Sequence, residues 1–108
     1  MEKSEKRDLQ FIKKFLETQY CVSEFDNTHR LAFAVYVAHK RYVTEIGMFK
    51  TAKELINTTL KEIPYQLTYS ALERSLYRTL KIIFADNYSD LRKALKELAI
   101  EYEKSITQ

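Results

Sequence analysis

The chain has 108 residues, with 18 Lys and Arg against 15 Asp and Glu, a formal charge of +3 and 45% apolar residues; that is the composition of one globular domain rather than of a disordered chain. One Gly, one Pro and no Trp exclude collagen-like, linker-like and turn-rich all-β chains, which need Gly and Pro at their corners. A single Cys excludes an internal disulfide framework and a multi-cysteine zinc site.

The spacing predicts a first helix over residues 4–20. Leu9, Ile12, Leu16 and Tyr20 recur at helical intervals, Phe11 and Phe15 widen the stripe, and Lys13, Lys14 and Glu17 fall outside it. Phe25-Asp26-Asn27-Thr28 then offers polar caps for a second helix over 28–45. Its middle, Leu31 to Ala38, is apolar all round, a pattern that a buried strand shares. No partner strand occurs elsewhere and no Gly or Pro lies close, so a central buried helix is favoured. Gly47 is its expected stop.

Thr51-Ala52-Lys53-Glu54 fits the capping box, in which hydroxyl and carboxylate satisfy each other's orphan amides. It opens a third helix over 51–62, with Leu55, Ile56 and Leu60 inward, ended by Pro64. Ser70-Ala71-Leu72-Glu73 repeats the box and opens a fourth helix over 70–85, with a core stripe of Leu72, Leu76, Leu80, Ile83 and Phe84. After Asp86-Asn87-Tyr88-Ser89 comes a fifth helix over 89–105, with Leu91, Leu95, Leu98, Tyr102 and Ile106 in its stripe. The expected fold is all-α, a single domain over 1–108 with about five helices.

The sequence holds no recognisable active site. His29 and His39 stand ten apart, outside any spacing that puts two ligands on one helix face. Cys21 has no basic neighbour to lower its pKa, Glu101 and Glu103 do not share a helix face, and no Gly-rich loop is present to cradle phosphate. No enzyme, cofactor or metal site is expected. Apolar runs stay short of roughly 18 residues, and the start is charged (Glu2, Lys3, Glu5, Lys6, Arg7). Neither a membrane span nor a secretory signal is expected, and the chain reads as cytoplasmic.

Charge is distributed unevenly. Residues 28–85 carry nine Lys and Arg (Arg30, Lys40, Arg41, Lys50, Lys53, Lys61, Arg74, Arg78, Lys81) against Glu45, Glu54, Glu62 and Glu73, a local excess of +5. The segments before and after it each sum to −1. Such an excess fits either an ordinary solvated face or a surface that neutralises phosphates. On the fourth helix Ser70, Arg74, Tyr77, Arg78 and Lys81 form one face opposite the leucines. Hydroxyls and cations near a helix N-terminus are the groups that reach phosphates and guanine edges in a major groove. Helices 51–62 and 70–85 could thus form a helix-turn-helix-like pair, although Ile63 to Tyr69 is longer than the usual turn.

Thr68-Tyr69-Ser70-Ala71-Leu72-Glu73-Arg74-Ser75-Leu76-Tyr77-Arg78-Thr79-Leu80-Lys81-Ile82-Ile83-Phe84 resembles the recognition-helix stretch of the C-terminal DNA-binding domain of the sporulation response regulator. That stretch has a T-x-S-x-[VL]-E-R pattern followed by alternating apolar and basic positions. Gly47, Phe49 and Leu55-Ile56 are similar to the family's earlier glycine-aromatic helix start. The resemblance implies an all-helical transcription-control domain bound to double-stranded DNA, with Ser70, Glu73 and Arg74 facing it. Tyr77 departs from the basic residue usual there, and the interval from the glycine to this helix is shorter than in the family.

Arg74 and Arg78 are the expected base readers, and Ser70, Lys81, Lys50 and Lys53 the expected phosphate contacts. A homodimer is expected, because one short helix reads few bases. The alternative is a non-enzymatic helical adaptor or inhibitor that binds a protein partner. Eight Tyr and six Phe exceed what a small core needs, and Tyr36, Tyr42, Tyr65, Tyr69 and Tyr88 fit no core stripe.

Overall fold

Five stretches with apolar residues at helical spacing become five helices in a computed structural model that describes residues 3–23, 27–88 and 90–107. These are α1 (Lys3–Tyr20), α2 (Thr28–Val43), α3 (Ala52–Glu62), α4 (Tyr69–Phe84) and α5 (Leu91–Thr107). No strand occurs among the described residues. The radius of gyration, 12.6 Å, is close to the roughly 13 Å of one compact domain of this length.

The architecture centres on α2, which packs against α1, α3, α4 and α5. Every residue from Leu31 to Ala38 is buried, which explains a run with no polar face. The run is a helix because other helices cover it on all sides and supply no sheet to join. Around it lie Ile12 and Leu16 of α1, Leu55 and Ile56 of α3, Leu72, Leu76 and Leu80 of α4, and Leu91, Leu95 and Leu98 of α5. Burying each such side chain stabilises the fold by about 1.5–3 kcal/mol. At the α2–α5 seam, His39 Nε2 lies 3.3 Å from Glu103 Oε1 and its ring meets Tyr102 edge-on. Among the described residues no helix is long and apolar enough to cross a membrane.

Besides Thr28 at the start of α2, three polar residues are buried in helices whose expected inward stripes were wholly apolar. Thr59, Ser75 and Thr79 each return a hydroxyl to the carbonyl four residues earlier, at 2.8, 2.9 and 2.6 Å. A hydroxyl satisfied by its own helix can enter a core at little cost. Conversely, Phe11 and Ile106 were expected inward and stand half exposed, while Leu60, Ile83 and Phe84 are only partly buried.

Helix ends differ from the expected boundaries for local reasons. α2 stops at Val43 rather than 45: Thr44 returns both its amide and its hydroxyl to Lys40 O, and Glu45 adopts the left-handed conformation (φ 58°). Gly47 (φ 96°) therefore turns the loop beyond the helix instead of ending it. Asn27 precedes α2 in a left-handed conformation without a side-chain cap bond; Phe25 and Asp26 lie outside the described residues.

Thr51 caps α3 by accepting from Glu54 N, but Glu54 reaches back to Lys50 N instead of closing the box on Thr51. The expected box at Ser70 does not form. Thr68, in an extended conformation, caps α4 through Ala71 N, so the helix starts at Tyr69 and Ser70 lies within its first turn.

α5 begins at Leu91 and runs to Thr107, displaced from 89–105, with Asp90 as its cap; Ser89 lies outside the described residues. Asp90 Oδ1 accepts from Lys93 N at 3.0 Å. This bond, with the nearby Arg92, holds the carboxyl below its ordinary value. A lowered folded pKa gives stability that is present above the unfolded value of about 3.9 and is lost as pH falls through the folded one. Asp90→Ala is expected to cost about 1 kcal/mol at neutral pH. Asp90→Asn keeps the acceptor, so its urea midpoint should change less than the wild type's between pH 6 and pH 3. Equal changes in the two proteins would remove the charged cap.

Candidate nucleic-acid interface

The amphipathic division of α4 sets the site. Leu72, Leu76 and Leu80 bury one side in the core, and Thr68 fixes the helix start. The opposite side presents Ser70, Arg74, Tyr77, Arg78 and Lys81 to solvent, with Glu73 half-buried beside them. All six expected α4 residues line one open groove of about 760 Å³, together with Tyr88. Burial first, then Tyr77 and Asp86, pushes the Tyr88 phenol up, so it is a neutral hydroxyl at physiological pH.

Among the described residues no carboxylate forms an ion pair with Arg74, Arg78 or Lys81, and Glu73 is the only acid in the groove lining. Some basic residues elsewhere are engaged, while Lys6, Arg7, Lys14, Lys53, Lys61, Lys93 and Lys96 likewise form no ion pair among the described residues. Arg41 bonds Glu54 at 3.2 Å and covers the Phe49 ring at 4.0 Å. Arg92 bonds the carbonyl of Lys50, Lys40 sits over Tyr36, and Lys104 pairs with Glu101. Free cations on one helix face can meet an anion without first breaking a bond within the protein.

Lys50 and Lys53 are exposed at the start of α3 and line neither concavity of α4. α3 and α4 do pack against each other across residues 63–68. The tyrosines divide. Tyr36 belongs to the core, Tyr69 and Tyr88 pack partly against it, and Tyr42 and Tyr65 are exposed.

Sequence reading missed Arg30. It enters from the first turn of α2, and its Nη1 donates to Ser75 Oγ of α4 at 2.7 Å. With Asn27 it helps line a second concavity, about 240 Å³, whose wall includes Arg74 and Arg78. The available signal was a lone arginine at the mouth of an eight-residue apolar run, a position that needs an acceptor from another helix. No family model, curated protein or solved structure matches the chain.

Proposed function

We propose that this protein is a non-catalytic DNA-binding regulator of transcription that lays α4 in the major groove. The observation that carries the reading is the row Arg74, Arg78 and Lys81, without an ion pair among the described residues, on the exposed side of a helix anchored by leucines. Arg74 and Arg78 offer forked donors to guanine O6 and N7, while Ser70 and Lys81 meet phosphates. Tyr77 lies between them, its ring suited to apolar contact with a thymine methyl. From Ser70 to Lys81 the helix rises about 16 Å, which spans about five base pairs at ~3.4 Å each. So short a reach calls for a second copy on an adjacent half-site.

The test is fluorescence anisotropy with random duplex DNA at low and physiological salt. Binding should weaken with salt, each neutralised phosphate adding about −0.9 to the slope of log K against log salt. No binding at low salt would overturn the reading. The exposed Tyr42 and Tyr65 would then point to a protein partner.

A further inference from the structure

Three arginines meet where the start of α2 approaches α4. Arg30 comes from α2, and Arg74 and Arg78 from successive turns of α4. Arg30 is held in place by a relay: its Nη1 donates to Ser75 Oγ at 2.7 Å, and Ser75 Oγ donates to Ala71 O at 2.9 Å. Its Nε is buried and finds no acceptor among the described residues. A buried donor without an acceptor is unfavourable, and three cationic side chains line this one concavity. Among the described residues no carboxylate pairs with any of the three. Glu73 lines the neighbouring groove and not this concavity.

We propose that this concavity is a phosphate-binding site, in which Arg30, Arg74 and Arg78 hold one phosphoryl group. A carboxylate has two oxygens in one plane, which a single guanidinium fork can occupy. Guanidinium groups arriving from two helices suit a tetrahedral anion with oxygens on several sides. The volume, about 240 Å³, is below the roughly 300 Å³ at which pockets for drug-sized ligands begin. One phosphoryl group is therefore bound, and the rest of the molecule that carries it remains outside. That molecule is either the DNA backbone, which rests on the DNA binding proposed above but has Arg74 and Arg78 meet phosphate in place of base edges, or a small phosphate ester. Both present the same chemistry to the arginines. Arg30 is a binding residue oriented in advance, because Ser75 fixes its guanidinium before the anion arrives.

Nitrogen-15 NMR of the arginine Nε–H groups tests this on the unmodified protein, titrated separately with inorganic phosphate and with random duplex DNA. The Arg30 Nε–H signal should shift saturably with at least one of them. Arg30→Gln should lower the affinity of that ligand at least tenfold, and Arg78→Gln, on the exposed rim, should do so without disturbing the fold. Arg41→Gln, at a paired arginine, should not. Loss of both phosphate and DNA affinity in Arg30→Gln identifies the backbone as the source. Loss of phosphate affinity alone identifies a small ester, and the site then stands even if DNA does not bind. An Arg30 signal indifferent to both ligands overturns the site, and DNA binding under those conditions would leave the function of α4 standing without it.

Discussion

Replacing Arg74 and Arg78 together with alanine is expected to lower DNA affinity by roughly 30-fold to 10⁴-fold, at about 1–3 kcal/mol for each base-reading arginine. The fold should not register the change. Both side chains are exposed, neither forms an ion pair among the described residues, and alanine is the strongest helix former. Thermal stability should stay within about 0.5 kcal/mol of wild type, the usual range for surface substitutions. This pairing of a large binding loss with an unchanged melt is what separates an interface from a structural element. The single variants distinguish roles. A base reader lowers the preference for one sequence over another, whereas a phosphate contact weakens all sequences alike and reduces the salt slope by about one. Unchanged affinity in the double variant would remove α4 as the interface. Tyr65→Ala would then be the informative substitution, since that ring is exposed and beside His29.

The helices were legible because their cause is local. Leu72, Leu76 and Leu80 repeat every four residues, and the structure buries all three. The polar face of α4 was legible for the same reason: once the leucines are placed, the remaining positions must face outward. Helix ends were less so. Thr68 and Ser70 are both good caps, and the choice between them depends on the extended backbone at Thr68, which no spacing rule reveals. Buried hydroxyls misled the pattern in the opposite direction, since Thr59, Ser75 and Thr79 satisfy themselves within their own helices. Arg30 was invisible as a site residue because its partner lies 45 positions away. Periodicity reports what one helix does, and the contact between α2 and α4 is a property of the packing.

Leu76→Ala is expected to cost about 2–5 kcal/mol, the range for truncating a leucine that leaves a cavity in a packed core. Leu76 is fully buried at the middle of α4, one turn from both Leu72 and Leu80. For a domain of this size the midpoint should fall by about 4–8 °C per kcal/mol. Ile82→Ala, on the same helix at a half-exposed position, should change stability by less than about 0.5 kcal/mol. The buried variant also tests the interface from behind. It leaves Arg74, Arg78 and Lys81 intact, so DNA at a hundred times Kd should return about 2.7 kcal/mol of stability. In the background of Arg74→Ala and Arg78→Ala the same DNA concentration should return much less. A Leu76→Ala protein that melts within a few degrees of wild type would show that α4 is not held by the core. One that melts early but gains nothing from DNA would separate the fold of this helix from the function proposed for its outer face.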